Sequence, residues 1–259
     1  MKKRIAETAY SSPLFTAITV VFFAVMMFSL STLAYFSEGV RFTIDIISRA
    51  LVVIFAAYFI KACGFQSFAK PQVGLLRILL LFLGLLVCVN NFPVIGFITG
   101  NVFLKDSPKI LRYIIYCIAI GVSEEFVFRG IVMPLVGIKF REKPRAPFVT
   151  VLITSTIFAL CHLFNIFAAG VPATLLQVGY TFLTGGLFCA VYLFTENLIF
   201  PIILHVVFDF GGLLFNPPFG IAAGNMWDKY TIIITAVLGV IATAVYIVAI
   251  INYKSRTNG

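Results

Sequence analysis

Long apolar runs follow one another along this chain, and they limit what it can fold into. Eight can be marked off: about Leu14–Phe36, Thr43–Ala62, Val73–Asn90, Ile110–Leu135, Phe148–Phe164, Pro172–Phe194, Leu198–Phe215 and Tyr230–Tyr253. Each approaches or exceeds the roughly 20 residues that a helix needs to cross a bilayer's hydrocarbon. Of the 259 residues 61% are hydrophobic and only 11% charged, whereas ordinary soluble domains are about 45–50% apolar and about 25% charged. So little charge could not cover so much apolar surface in water, and disorder is excluded on the same ground. The runs are unbroken rather than alternating, which argues against a transmembrane barrel. The 19 glycines have no period, and the five cysteines, Cys63, Cys88, Cys117, Cys161 and Cys189, stand singly in apolar runs. They read as small buried residues, not as a disulfide framework. The expectation is an all-α polytopic membrane protein, one domain over residues 1–259 with about eight transmembrane helices. The short stretch Phe92–Phe103, broken by Pro93, Gly96 and Gly100, reads as re-entrant or interfacial.

The net charge of +9 comes from basic residues placed between the apolar runs. They read as topology signals and contacts for anionic lipid, with no nucleic acid as partner. Lys2, Lys3 and Arg4 precede an apolar core too long for a signal peptide, so the first run reads as an uncleaved span. With the N-terminus inside, the inner ends carry Lys2, Lys3, Arg4, Lys61, Lys70, Arg77, Lys139, Arg141, Lys143, Arg145, Lys254 and Arg256, and the outer ends Arg41, Lys105, Lys109, Arg112 and Lys229. Twelve against five predicts a multi-pass protein of the cell membrane with both termini cytoplasmic.

Ionisable residues inside a span cost roughly 2.5–3.5 kcal/mol each on insertion scales, so each calls for a partner or a function. Asp45 and Arg49 are four apart near the start of the second run and read as a structural pair neutralising each other or as an interfacial anchor. The fourth run holds Glu124, Glu125 and Arg129. Glu125 and Arg129 are spaced to pair along one helix face, which leaves Glu124 turned away and available to a cavity. Both histidines of the chain, His162 and His205, lie within apolar runs, and Asp209 follows His205 by four. If Glu124, His162, His205 and Asp209 converge, they form a polar cavity that can hold water. A glutamate and a histidine there can activate that water, and a histidine with a polar partner can stabilise the oxyanion formed on a carbonyl. That set suits hydrolysis of an amide bond within the membrane. The same four side chains are plausible ligands for a divalent metal such as zinc, although there is no HExxH motif. Neither a GxSxG signature nor a well-placed cysteine offers a nucleophile.

Glu124-Glu125-x-x-x-Arg129, Phe158-x-x-x-His162 and His205-x-x-x-Asp209 resemble, in order, the three motifs of the CPBP proteins. These are the CAAX protease and bacteriocin-processing, or Abi, family, which includes the type II CAAX prenyl endopeptidases. The motif-bearing core spans about 110–214, and the run Thr195-Glu196-Asn197-Leu198 resembles the family's polar turn before the third motif. The resemblance implies that Glu124 and His162 activate water, that His205 and Asp209 form the oxyanion site or hold the water, and that Arg129 orients the glutamates, with Glu125 and Phe158 in support. The last motif position is often Asn in CAAX-processing members; here it is Asp209. The family has been described both as metalloproteases and as glutamate-dependent proteases. The glutamate mechanism is preferred here because the cavity needs only one activated water.

The leading expectation is therefore an intramembrane endopeptidase acting on a bacteriocin or pheromone precursor, a leader peptide or a lipidated protein tail. One alternative is a non-enzymatic immunity or regulatory partner in the membrane. A less favoured one is a proton or ion transporter, since buried acids and histidines also relay protons.

Overall fold

The computed structural model describes residues 2–32, 36–70, 74–105, 107–215, 219–224 and 229–253. Lys254, Arg256 and the start of the third run at Val73 lie outside these residues. Every one of the eight apolar runs is helical over most of its described length. An additional helix comes first, α1 (Lys2–Ser11), whose basic and polar residues gave no hydrophobic signal. Its Tyr10 hydroxyl donates to the carbonyl of Cys63. There follow α2 (Pro13–Phe28), α3 (Glu38–Cys63), α4 (Leu75–Asn90) and a short α5 (Val94–Ile98). Next come α6 (Ile110–Val127), a π-helical turn (Phe128–Val132) and α7 (Met133–Phe140), which run on from one another without a break. The remaining helices are α8 (Ala146–Cys161), α9 (Ile166–Ala169), α10 (Val171–Thr195), α11 (Ile199–Gly212) and α12 (Lys229–Ile251).

Among the described residues, five helical segments are long and apolar enough to cross a membrane: Pro13–Thr32, Glu38–Cys63, Ala146–Asn165, Val171–Thr195 and Lys229–Ile251. Leu75–Asn90 and Ile199–Gly212 are apolar but shorter. The outer surface confirms what kind of solvent the fold requires. Phe15, Ile54, Leu79, Leu176 and Val240 are all exposed, an arrangement that water would penalise and lipid does not. The protein is an all-α polytopic membrane protein. Its only strands among the described residues are β1 (Val102–Leu104) and β2 (Ala222–Gly224), an antiparallel pair with Phe103 opposite Ala223. The Phe92–Phe103 stretch is thus a short helix leading into half of a small ribbon, started by Pro93 at the N-cap of α5.

α11 is held at both ends. At its start, Glu196 takes a left-handed conformation (φ 53°) that stops α10, and Asn197 Oδ1 accepts the Ile199 N–H at 2.9 Å to cap α11. The same turn is stitched to the segment after α3: Leu198 N–H donates to Ser67 O at 2.8 Å, and Asn197 Nδ2 to Ala69 O at 2.9 Å. At its end, Tyr113 donates to Phe210 O at 2.7 Å and Asn91 Nδ2 to Phe208 O at 2.8 Å. Between the two ends α11 lies against α6 at very close range. A Cβ added to Gly121 would stand 2.7 Å from Val206 Cγ2 and 3.1 Å from its backbone nitrogen.

This contact sets the distance between the fourth and seventh apolar runs. Gly121→Leu is expected to destabilise the protein by about 1–3 kcal/mol or more, as overpacking does, read as a lowered unfolding temperature in detergent. Gly239→Ala, on an open face of α12 with nothing within 4 Å, is the control and is expected to change stability by less than about 1 kcal/mol.

Candidate functional site

Two adjacent glutamates in one apolar helix meet different fates. Glu125 is wholly buried, and its Oε1 accepts from Arg129 Nη1 at 2.7 Å, one helical turn away. The same oxygen receives His205 Nδ1 at 2.7 Å across the helix interface. Arg129, also wholly buried, gives its second terminal nitrogen to the carbonyl of Gly185 on α10 at 2.9 Å. Its guanidinium lies over the rings of Phe158 (4.8 Å) and Phe188 (5.4 Å). Arg129 itself belongs to the π-helical turn, an irregularity frequent at functional positions in helices. Gly185 is required here, since a Cβ would sit 2.9 Å from Phe158 Cδ1. One sealed carboxylate therefore ties α6, α10 and α11 together.

Glu124 points to the other side. Its side chain keeps 14% of its exposure and that of Asp209 13%, although Asp209 Oδ2 is itself buried, whereas Glu125 and Arg129 are wholly buried. His205 stands between the two acids, with Nε2 3.8 Å from Glu124 Oε2 and 3.6 Å from Asp209 Oδ2. These gaps are too long for direct hydrogen bonds. Because an ionised carboxylate can only accept, His205 Nδ1 is the donor to Glu125, and its Nε2 faces Glu124 and Asp209. His162 opens the 3₁₀ turn after α8, and its Nδ1 donates to the Phe158 carbonyl at 3.0 Å. The Phe158 ring makes edge contacts with both imidazoles, 5.1 Å to His162 and 6.0 Å to His205, and Phe188 stacks on His205 at 5.0 Å. Glu124 is within electrostatic reach of His162. Glu124 and Asp209 thus flank His205 Nε2, and His162 meets the Phe158 ring that His205 also contacts.

The Asp45–Arg49 reading is corrected. Arg49 acts on Asp45 electrostatically but makes its direct contacts across the interface with α6, where Nη1 donates to Ser123 Oγ at 3.1 Å and lies 3.7 Å from Glu124 Oε1. Asp45 instead accepts the Ser31 hydroxyl at 3.0 Å. Spacing of four makes a pair possible, but a helix partner across the interface was nearer for each group. Sequence reasoning also missed Ser123, Phe188 and the Gly185 carbonyl. Arg49 alone carried a signal, as a cation within an apolar run.

The donors suit hydrogen bonding better than metal ligation. Among the described residues no group of three or more His, Cys, Asp or Glu side chains is arranged to hold a metal ion. The Arg49 guanidinium stands beside Glu124, a fixed cation that opposes a metal ion there. All five cysteines are free; Cys63, Cys88, Cys117 and Cys189 are buried, and Cys161 is half-buried.

Acids and imidazoles placed this way in a helical membrane protein suit either hydrolysis or proton relay. Residues 106–211 match the family described as "Type II CAAX prenyl endopeptidase Rce1-like", a stretch short of half the chain that contains all three motifs. This supports a relation to the CPBP family of CAAX proteases. No curated protein and no solved structure matches the chain.

The sealed pair generates a stability test. Arg129→Met is expected to destabilise the protein by about 3–5 kcal/mol, because it leaves the Glu125 carboxylate buried without its cation. Glu125→Leu combined with Arg129→Met is expected to recover part of that loss, measured by denaturant unfolding in detergent micelles as a double-mutant cycle.

Proposed function

We propose that the chain is an intramembrane endopeptidase that cleaves a peptide bond of a membrane-associated peptide or lipidated protein, with a glutamate-activated water as nucleophile. The observation that carries this is the division of labour between the two glutamates: Glu125 is locked by Arg129 and His205, while Glu124 faces accessible space with Asp209 and His205 Nε2 beside it. A water about 2.8 Å from Glu124, at ordinary hydrogen-bond distance, is also within reach of His205 Nε2. The Rce1-like match supports protease activity in general.

The reaction runs on these side chains, and no step is routed through a metal. Glu124 removes a proton as the water oxygen attacks the peptide carbonyl carbon. Asp209 and His205 hold and orient the water, and His162 assists proton removal from across the cavity. The carbonyl π bond opens to an oxyanion. When it re-forms, the C–N bond breaks and Glu124 returns its proton to the leaving nitrogen. The products are a new carboxylate terminus and a free amine. Glu125, Arg129 and Phe158 are positioning residues that fix His205 and the helix interface.

The orientation proposed from the basic residues puts both termini in the cytoplasm of a multi-pass protein with eight spans. Reporter fusions at the loop before α8 and at the C-terminus are expected to score as cytoplasmic, and fusions between α5 and α6 as external; the reverse pattern refutes this topology.

Purified protein is expected to cleave a fluorogenic prenylated peptide ending in a CAAX-type tetrapeptide. Glu124→Ala and His162→Ala are expected to lower the rate by about 10²–10⁴, the range for loss of general base catalysis, with unchanged unfolding temperatures. Cleavage that survives Glu124→Ala refutes the mechanism. Prenylated and non-prenylated peptides compared side by side test the lipidated substrate class.

A further inference from the structure

The bundle has two ends, and hydrogen bonds assign the helix termini around the site to one or the other. Glu38, which starts α3, pairs with Lys109 at 2.9 Å and with Arg112 at 3.4 Å. The starts of α3 and α6 therefore share the end that carries the β1–β2 ribbon. α11 runs the other way. It starts at the turn bonded to Ser67 and Ala69, after α3 has ended, and finishes where Tyr113 of α6 meets the Phe210 carbonyl. α8 starts from the loop after α7 and packs back along it. Asp209 lies in the last turn of α11, and His162 directly follows α8. Both belong to the ribbon end.

Polar groups continue from Glu124 toward that end. Glu38, Arg41, Asp45 and Arg49 recur every three or four residues and so line one face of α3. Arg49 reaches Glu124, Arg41 and Arg49 both act on Asp45 electrostatically, and Ser31 donates to Asp45. In the opposite direction α3 carries no charge from Ala50 to Ile60, and the helix through α7 none from Gly130 to Ile138. Ile131, Val132, Leu135 and Leu198 are wholly buried there, so the site closes on a dry core behind Glu125 and Arg129. At the ribbon end a second small core, with Tyr113, Cys117 and Ile221, packs the ribbon onto α6. Phe219 lies against Tyr116 at 4.7 Å and Phe42 at 5.7 Å. The polar side of that end is beside the half-buried His162. There Asn165 donates to Gln177 at 2.8 Å between exposed side chains, and the exposed Tyr180 packs on Phe208, next to Asp209.

We infer that substrate enters from the ribbon end, that this end faces away from the cytoplasm, and that the substrate is therefore an exported peptide or the extracytoplasmic segment of a membrane-anchored protein. The far end carries Lys61, Lys70, Lys139, Arg141, Lys143 and Arg145, the basic excess that marks a cytoplasmic face. The inference rests on the hydrolase reading and narrows its substrate. A polypeptide arriving from the cytoplasm would have to pass the core around Ile131 and Leu135, where its backbone N–H and C=O groups find no polar partners. One arriving from the ribbon end meets Asn165, Gln177 and His162 first. Lipidation remains compatible with this route only where the lipid sits on the outer leaflet side.

The test reads access first and cleavage second. Full-length protein carrying Cys161→Ala, its other four cysteines being buried, receives one of four substitutions: Glu124→Cys in the site, Asp209→Cys should the first not fold, Asn101→Cys beside the ribbon, or Glu142→Cys in the exposed loop at the far end. A charged, membrane-impermeant thiol reagent is applied to intact cells and to inverted membrane vesicles. The site cysteine is expected to label in intact cells, as Asn101→Cys does, and not in inverted vesicles, where Glu142→Cys labels. A site cysteine that labels from the Glu142→Cys side, or from neither, overturns the entry route. Labelling of the site cysteine and Asn101→Cys in inverted vesicles alone overturns the substrate class. Wild-type protein in sealed membranes is then given the fluorogenic peptide in an impermeant form. Cleavage is expected in right-side-out membranes and absent from inverted ones until detergent opens them. Cleavage confined to inverted vesicles overturns the inference and leaves the hydrolase reading standing. No cleavage even in detergent refutes the hydrolase reading and the substrate class with it, and the labelling still decides the route.

Discussion

One carboxylate oxygen, Glu125 Oε1, accepts from Arg129 on its own helix and from His205 on α11. In a medium that cannot hydrate charge, a buried carboxylate must find such partners or lose its ionisation. The requirement works as a structural instruction. It fixes the rotation of α6, because Glu125 has to point at α11. It fixes α11, because His205 has to meet that oxygen. Through the Arg129 bond to the Gly185 carbonyl it fixes α10 as well. The remaining site geometry follows: once Glu125 faces the sealed interior, the neighbouring Glu124 is rotated by about 100° toward the space that Asp209 and His162 also face.

The apolar packing around this centre uses small residues to bring backbones together. Gly121 lets α6 lie on Val206, and Gly185 leaves room for the Phe158 ring. Lipid provides no hydrophobic force between helices, so close van der Waals packing and interhelical hydrogen bonds have to hold the bundle. The capped turn at Asn197 and the hydrogen bonds from Asn91 and Tyr113 serve the same end. They clamp α11 at each end, so His205 and Asp209 are carried on a short helix with little freedom to slide. Rigid support of this kind is what preorganised chemistry requires.

Much of this was legible in the sequence because membranes make charge conspicuous. Glu124, Glu125, Arg129, His162, His205 and Asp209 stand out against apolar runs, and the four-residue spacing of Glu125 and Arg129 fixed which glutamate would be tied. α1 was not legible, since its polar residues carry no hydrophobic signal and its hold on the bundle comes through Tyr10 and the Cys63 carbonyl. Depth along the spans was misleading in a different way. Counting about 1.5 Å per residue places His162 roughly 21 Å into its run and His205 nearer the start of its own, yet one Phe158 ring touches both. A residue count gives distance along a helix axis and contains nothing about the tilts at which helices cross.

Arg49 shows the corresponding limit of spacing rules. An acid and a base four residues apart on a helix are neighbours on its surface, and isolated helices gain only about 0.2–0.5 kcal/mol from such a pair. Inside a bundle that gain is small beside what a partner on a facing helix offers, because the facing partner also removes the group from lipid. Asp45 found Ser31 and Arg49 found Ser123 and Glu124. The outcome brings a cation from α3 to the wet side of the glutamate pair, opposite the cation that seals its dry side. Arg129 and Arg49 thus bracket the two acids with different tightness: a 2.7 Å bond that holds the fold on one side, and a 3.7 Å approach on the other. The looser contact leaves room for a proton to move on Glu124 without breaking the structure around it.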